Sequence, residues 1–300
     1  MNWTIAVLLL LAALILAIFA FRYLRLRRLR QAAPYQPAVA RIEGGGIKRG
    51  LTPPEGAVLL GRPLKVTLTL VIFEMLRKGF LRQVAAEPLT VALNEAFRTQ
   101  GSGLGAQARG ERRRQAAQAM PAALHKYEEP FLELIEAQPG KPVTELDFGV
   151  AIQPLIRYVA GRVGGFSLEE TRAYYRLIIE RAPREARSDG KLTFERQKVF
   201  DRNFGWVLLG DDFRNVLDQP DFSYQPVWWR DGLSKIQRPV SAPRTSEFGP
   251  GTSFAAWAAK VMAAMESTVD EQDVKLRLGS ETDAVTAALL NDVARATFYG

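Results

Sequence analysis

The sequence predicts a mainly helical α+β protein with one N-terminal transmembrane helix and a cytoplasmic domain of winged-helix-like modules. Three observations lead to this fold class. An uncharged apolar run extends from Trp3 to Phe21, a cluster of arginines follows it directly, and the polar remainder shows capped amphipathic helices with a hairpin signal. The apolar run indicates where the protein sits, and the remainder indicates how its domain folds.

The run Trp3–Phe21 consists almost entirely of Leu, Ile, Val, Ala and Phe, with Thr4 as its polar exception. A helix of about 20 such residues is long enough to cross the hydrocarbon core of a bilayer. A cleaved signal peptide would carry its positive charge before the apolar core, whereas here the charge follows it. A buried core helix would not need so long a run without a polar face. We therefore predict that residues 1–30 form a membrane anchor with a basic collar.

The ends of this span predict its orientation. Arginine and lysine beside a span are retained on the cytoplasmic side, and aromatic rings favour the two interfaces. The N-terminus should then lie outside the cell membrane and residues 31–300 in the cytoplasm, with the collar against anionic headgroups. The residues predicted to anchor and orient the span are Trp3, Phe21, Arg22, Tyr23, Arg25, Arg27, Arg28 and Arg30.

Composition narrows the chemistry of the domain. The chain has no cysteine and a single histidine, His125, which excludes disulfides, thiolate nucleophiles and Cys-ligated metals. The net charge is +8, but without the five collar arginines 35 basic residues face 32 acidic ones. Because the excess lies mainly in the collar, it favours an anionic membrane surface over nucleic acid as a partner. We predict no cofactor.

Two stretches read as linkers. Residues 31–50 contain Pro34, Pro37 and three consecutive glycines, and residues 233–251 are rich in serine and proline. Proline discourages helix and glycine adds flexibility, so neither stretch favours regular structure. The glycines lack the Gly-Lys-Ser/Thr that a phosphate-binding loop requires.

Residues 51–98 predict a winged-helix-like module. The run from Pro63 to Gly79 alternates like a strand over Val66–Leu70, but it is too long for one strand, so we predict a helix there. The elements in order are a short helix opened by Pro53 and Pro54 and closed by Gly61, a helix over Pro63–Gly79, and a hairpin of Phe80–Ala85 and Leu89–Leu93.

The stretch Leu51–Leu93 has a Leu-x-Pro-Pro-Glu start, an apolar helix and a Lys-Gly-Phe-Leu exit. It resembles the cytoplasmic part of YciQ-like bacterial predicted membrane proteins, a family of unknown function. The pattern Leu124-x-x-Tyr127-Glu128-x-x-x-Leu132 is a second point of similarity, and together they cover roughly residues 50–180. The resemblance implies a membrane setting and a fold, and no catalytic residues. The chain departs from the family in lacking the preceding extracytoplasmic domain and the Gly-rich tail.

Residues 99–120 are polar, Gly-rich and basic, and predict a flexible loop that runs into a helix. We interpret the basic residues as a solvated loop, and alternatively as a patch for acidic lipid or nucleic acid. The candidate interaction patch consists of Arg109, Arg112, Arg113, Arg114, Trp228 and Trp229.

Residues 121–232 predict a second, helical and winged-helix-like module. His125 is interpreted as an exposed or half-buried surface residue rather than a catalyst, because no other histidine can join it. The predicted helices are Ala122–Ala137 with a kink or break at Pro130, a helix capped by Thr144 and broken at Gly161, Gly164 and Gly165, a helix begun by Ser167 and stopped at Pro183, and Phe194–Leu209.

The end of this module groups carboxylates with aromatic rings. One interpretation is a metal or sugar site, and the favoured one is a loop that packs its rings over a core edge, because the spacing fits no EF-hand. The residues concerned are Asp211, Asp212, Asp218, Asp221, Phe222, Tyr224, Trp228 and Trp229.

Residues 252–300 predict a helical extension. Its first helix, Thr252–Ser267, carries Trp257 on an apolar face, and we expect this face to dock on the domain's own core rather than on a membrane. A weaker helix follows over Glu281–Phe298.

These observations leave three functional hypotheses. The first is a membrane-tethered module that binds another protein. The second is a tethered nucleic-acid binder, which would need a basic face on the helix Pro63–Lys78. The third is a carboxylate-dependent hydrolase or transferase built around Asp211. We favour the first, without enzymatic activity, because the sequence shows no constellation of acid, base and nucleophile.

Overall fold

The computed structural model describes residues 45–99, 103, 105–120, 122–186, 193–229, 252–268 and 284–298. This part of the chain is mainly helical with two small antiparallel sheets, which confirms the predicted α+β class. The helices are α1 (Pro53–Leu59), α2 (Leu64–Arg77), α3 (Ala106–Gln118), α4 (Glu129–Ala137), α5 (Gly149–Val163), α6 (Leu168–Ala186), α7 (Thr193–Leu208), α8 (Phe213–Leu217), α9 (Phe254–Ala264) and α10 (Ala284–Phe298). The strands are β1 (Leu81–Ala86), β2 (Leu89–Leu93), β3 (Asp218–Gln219) and β4 (Phe222–Ser223).

Helix α2 is the central element of the fold. Nearly all of its side chains from Leu64 to Leu76 are buried, and α1, β1, α7, α9 and α10 pack around it. A helix that is apolar on all sides has to be covered on all sides. The strand-like alternation over Val66–Leu70 therefore reflects burial, and the prediction of a helix here is confirmed.

The hairpin β1–β2 follows α2, so the predicted order of helix, helix and hairpin is confirmed. Helix α9 docks on this hairpin: the indole Nε1 of Trp257 donates to the carbonyl of Ala86 at 3.1 Å, and Lys260 pairs with Glu87 at 2.6 Å. Trp257 is fully buried. The apolar face of α9 thus packs on the domain, as its sequence predicts.

Aromatic rings fill the space between α2, α7 and α9. Phe73 of α2 lies 5.4 Å from Trp257 and 5.4 Å from Trp228 between ring centroids, and Phe204 of α7 lies 6.2 Å away. Aromatic pairs at these separations stabilise beyond the area they bury. The residues of α7 predicted for the core, Phe200, Phe204, Val207 and Leu208, are all buried.

Several predicted helix ends are wrong. Helix α4 begins at Glu129 rather than Ala122, because Pro130 favours the first turn, where its missing N–H costs nothing. Helix α5 runs through Gly161 and ends at Val163, so the predicted break is correct at Gly164 and wrong at Gly161. Helix α6 runs through Pro183 to Ala186. A single glycine costs a helix only about 1 kcal/mol, and packing of α5 and α6 against neighbouring helices outweighs such local breaks.

The predicted cap at Thr144 is also wrong. Thr144 lies in a 3₁₀ turn, Val143–Glu145, and α5 begins later, at Gly149. Asp147 supplies the local bond instead, because its carboxylate accepts the backbone N–H of Gly149 at 2.8 Å. The sequence pattern located the start of a helix within a few residues but assigned the capping group wrongly.

Within the described residues, the structure contains no helix with the length and apolar character that crossing a bilayer demands. The predicted span Trp3–Phe21, the linker 233–251 and a turn expected at Ser188–Gly190 lie outside the described residues. From Gly46 onward the described residues belong to one compact unit, and the segments that the sequence divides into modules share a core.

Candidate functional site

The first described residues of the compact unit are held against α6. We call this stretch, Gly46–Thr52, the lead-in segment. The carbonyl of Gly46 accepts the N–H of Ser167 at 2.9 Å. The N–H of Lys48 donates to the hydroxyl of Thr171 at 3.1 Å, and the N–H of Leu51 donates to that of Tyr175 at 2.8 Å. The bonded side chains stand one helical turn apart on one face of α6. The end of the predicted linker, residues 46–50, is therefore fixed together with Leu51 and Thr52 along the first half of α6.

An ion pair between a buried carboxylate and a half-buried arginine closes the end of the lead-in segment. Glu55 of α1 has no exposed surface, and both of its carboxylate oxygens accept from Nη1 of Arg162 at 2.6 and 2.8 Å. The other terminal nitrogen of Arg162 donates to the carbonyl of Gly50 at 2.9 Å. Glu55 also accepts the N–H of Thr52 at 2.5 Å, which closes the first turn of α1. Arg162 thus joins α5, α1 and the lead-in segment.

A second buried ion pair lies nearby, between α2 and the turn before α4. The ammonium of Lys78 donates to Glu128 at 2.6 Å, and the side chains of the two residues are 6% and 0% exposed. Glu128 also accepts the N–H of His125 at 2.8 Å. Burial raises the pKa of Glu128, although the Lys78 ammonium opposes the shift. Removing either partner would leave the other charge buried without compensation and would destabilise the fold.

His125 and Tyr127 connect the two ion pairs. Their rings stack 5.3 Å apart, and the hydroxyl of Tyr127 lies 3.0 Å from that of Thr52. Burial, together with the charges of Lys78 and Arg162, lowers the pKa of His125 to about 4. His125 is half-buried and neutral at physiological pH, so it neither pairs with a carboxylate nor has the charge to bind an anion.

These groups form one charge cluster, Glu55, Lys78, His125, Glu128 and Arg162, inside the domain. Clustered ionisable groups with shifted pKa values are candidates for a functional site, but structural ion-pair networks produce the same shifts. None of the five lines the cleft described next. The geometry gives Glu55 and Arg162 a positioning role, because their bonds to Thr52 and Gly50 fix where the lead-in segment joins α1 and α5.

The sequence did not reveal this cluster, because its pairs are remote along the chain. Glu55 and Arg162 are 107 positions apart, and Lys78 and Glu128 are 50 positions apart. One local signal was available: Glu55 is the single acidic residue of α1, and nearly all of that apolar helix is buried. A buried carboxylate requires a partner, so Glu55 predicts a distant cation without identifying it.

A surface cleft of about 640 Å³ opens beside the second half of α6. Its floor is apolar and includes the buried residues Ile179, Val207 and Val216. The rim carries both signs of charge, from Arg62, Arg176, Glu180, Asp211 and Asp212. Apolar floors with charged rims are typical of sites that bind proteins or peptides.

The predicted patch of arginines does not form one exposed surface. Arg113 is fully buried, and its guanidinium donates to Glu136 at 2.5 Å. Arg114 pairs with Glu129 at 2.8 Å, Arg109 is half-buried, and Arg112 is exposed. The prediction is therefore wrong for Arg113, because its guanidinium forms an ion pair between α3 and α4.

The tryptophans of the predicted patch belong to the core instead. Trp229 is 3% exposed, and Trp228 is half-buried with its ring 5.4 Å from Phe73. The rings of Phe222 and Tyr224 in the same stretch are buried as well. The favoured interpretation, rings packed over a core edge, describes what the structure shows.

The nearby carboxylates are dispersed. Asp211 pairs with Arg62 at 3.0 Å, and Asp221 pairs with Arg196 at 2.6 Å. Across the described parts of the chain, no three His, Asp or Glu side chains are grouped to hold a metal ion. The geometry does not favour the metal-site interpretation of this region.

The residues predicted to anchor the protein, from Trp3 to Arg30, lie outside the described residues. Comparisons of the chain with family models, curated proteins and solved structures find no match. The resemblance to YciQ-like proteins therefore stays a prediction from the residues quoted above.

Proposed function

We propose that this protein is a membrane-tethered cytoplasmic module that binds another protein through the cleft beside α6. The observation that carries the proposal is the fixed lead-in segment. Bonds from Ser167, Thr171, Tyr175 and Arg162 hold the chain from Gly46 onward, over the last residues of the predicted linker 31–50. Because of this attachment, the chain that leads from the predicted span would enter the domain at one fixed position.

The position of the cleft supports this proposal. The lead-in segment bonds to Ser167, Thr171 and Tyr175, whereas Arg176, Ile179 and Glu180 line the cleft. The last bonded residue, Tyr175, and the floor residue Ile179 are about 6 Å apart along a helix that rises 1.5 Å per residue. A partner in the cleft would therefore use side chains of α6 other than those that bond the lead-in segment.

The charges of the fold do not favour the nucleic-acid alternative. That alternative needs α2 as a basic recognition helix, yet α2 is buried on nearly all sides. The cations on and beside it are already paired: Lys65 with Glu266 at 3.0 Å, Arg77 with Glu74 at 2.6 Å, and Lys78 with Glu128. A winged-helix-like arrangement of residues 51–98 is part of our proposal as a fold for protein binding, supported by the order of α1, α2 and the hairpin.

The tether is tested by topology and extraction. We expect the full chain to resist alkaline extraction from membranes, and a reporter that works only in the cytoplasm to be active when fused at Gly300. The same chain without Met1–Arg30 should leave the membrane and still unfold cooperatively, because the charge cluster and core lie beyond residue 45. A reporter signal from the outer side, or a truncated chain that stays with the membrane, would contradict the tether.

The cleft is tested by charge reversal on α6. Arg176 and Glu180 are exposed and line the cleft, whereas Arg181 is exposed on the same helix and does not line it. In proximity labelling from the full chain, we expect Arg176→Glu together with Glu180→Lys to remove the main labelled neighbour, and Arg181→Glu to retain it. Identical labelling by all three proteins would exclude the cleft as the binding surface.

A further inference from the structure

Phe166 is an exposed aromatic residue at the corner where the lead-in segment meets α6. The turn between α5 and α6 is made by Gly164 and Gly165, and Gly165 has φ +82°, a conformation that favours glycine. The turn leaves the Phe166 side chain 39% exposed. The next residue, Ser167, donates its N–H to the carbonyl of Gly46. The exposed ring therefore lies beside the first bonded residue of the compact unit.

Two cations of the lead-in segment sit over rings at this corner. The ammonium of Lys48 is 4.9 Å from the centroid of the Phe166 ring, and the guanidinium of Arg49 is 5.7 Å from that of Tyr174. Aromatic rings next to lysine and arginine suit the boundary between headgroups and acyl chains. Glu169 and Glu170 are exposed in the first turn of α6 and offset this positive charge. The exposed ring, more than net charge, would thus favour a bilayer.

The short connection to the predicted span would favour this contact by raising its effective concentration. If the part of the predicted linker before the lead-in segment, residues 31–45, is flexible as its sequence predicts, it would span roughly 20 Å on average and at most about 50 Å when fully extended. A short linker of this kind keeps a surface near its target at an effective concentration in the millimolar range. A contact too weak to hold a free domain is then enough to orient a tethered one.

We propose that the Phe166 corner, with Lys48 and Arg49, is a second membrane contact that rests on the bilayer holding the protein's own anchor. This inference depends on the proposed tether. The contact would fix which side of the domain faces the lipid, and it would direct the cleft beside the second half of α6 toward the cytoplasm.

The chain offers a direct test, because it contains no cysteine. Phe166→Cys, Leu177→Cys and Val227→Cys each create a unique site for a nitroxide label, and the two control positions are 49% and 50% exposed. The labelled full chain is placed in phosphatidylcholine nanodiscs, and collisions with oxygen and with a water-soluble nickel chelate are compared. We expect the oxygen-to-nickel ratio at position 166 to be several-fold higher than at 177 and 227.

A second label keeps the Phe166 ring in place. Glu169→Cys labels an exposed neighbour, and adding Phe166→Ser to it should reduce its oxygen-to-nickel ratio to that of position 177. Equal ratios at 166, 177 and 227 in chains that co-purify with nanodiscs would overturn the membrane contact and leave the tether intact. Chains that do not enter nanodiscs at all would overturn the tether and this inference together.

Discussion

Replacing Lys78 by methionine should lower the free energy of unfolding by about 3–5 kcal/mol near pH 7, the usual cost of removing one partner from a buried ion pair. Methionine fills a similar volume but leaves the fully buried carboxylate of Glu128 without its ammonium. The N–H of His125 is the bond that Glu128 keeps. Chemical denaturation of the truncated domain, starting at residue 31, measures the change.

This loss should depend on pH. Burial already raises the pKa of Glu128 in the folded protein, and removing the Lys78 ammonium raises it further. A carboxyl whose pKa is higher in the fold stabilises the fold at pH below its unfolded pKa. That contribution is lost as the pH rises through the folded pKa. The difference between the wild type and Lys78→Met should therefore shrink as the pH falls from 7 toward 5.

Two variants serve as controls for this prediction. Lys65 lies on the same helix and pairs with Glu266, but the two side chains are 32% and 61% exposed, so Lys65→Met should cost less than about 1 kcal/mol. Adding Glu128→Gln to Lys78→Met removes the unpaired charge and should recover much of the stability. Equal losses at positions 65 and 78, or a loss that does not vary with pH, would contradict a buried charged pair.

The sequence predicts the elements of this fold better than their contacts. Apolar residues at helical spacing identify α7 and α9 correctly, because burial of one face requires that spacing wherever the helix lies. Prediction fails at Gly161 and Pro183, where a local break costs less than the packing on either side contributes, although α5 does end just before Gly164. Local rules set a preference, and tertiary contacts decide the outcome.

The candidate site was less predictable, for a different reason. The charge cluster joins α1, α2, α5 and the turn before α4, and no window of sequence contains both members of a pair such as Glu55 and Arg162. The cleft beside α6 is likewise assembled from segments between Leu60 and Ala296. Only Phe166 and its Gly-Gly turn are local, and the sequence shows the turn without showing that the ring is exposed.

The arginines of α3 show how local charge density misleads. Arg112, Arg113 and Arg114 look equivalent in the sequence, but a helix directs consecutive side chains about 100° apart, so they do not face the same surroundings. Helix α4 presents Glu129, Glu133 and Glu136 at spacings of four and three, which places them on one face. That acidic face is the signal that could have predicted a partner for the arginines.

Arg113→Ala should therefore destabilise the domain by about 3 kcal/mol, whereas Arg112→Ala should change its stability by less than about 0.5 kcal/mol. The Arg113 guanidinium donates to Glu136, to the hydroxyl of Thr99 at 3.3 Å and to the carbonyl of Phe97 at 3.3 Å. Its loss leaves Glu136, which is 10% exposed, without that cation. Arg112 is exposed and has no such burial to lose. Thermal and denaturant unfolding of the two variants side by side measures the difference.

Arg113→Lys separates charge from geometry in the same experiment. Lysine keeps the positive charge but lacks the planar fork that reaches several acceptors at once, so this variant should recover only part of the lost stability. Arg112→Lys should behave as the wild type. If Arg113→Ala were as stable as Arg112→Ala, the arginines would be interchangeable surface charges, and the patch for acidic lipid would regain its support. A loss of stability confined to the Arg113 variants would instead mean that, in the most basic stretch of the domain, Arg113 stabilises the contact between α3 and α4.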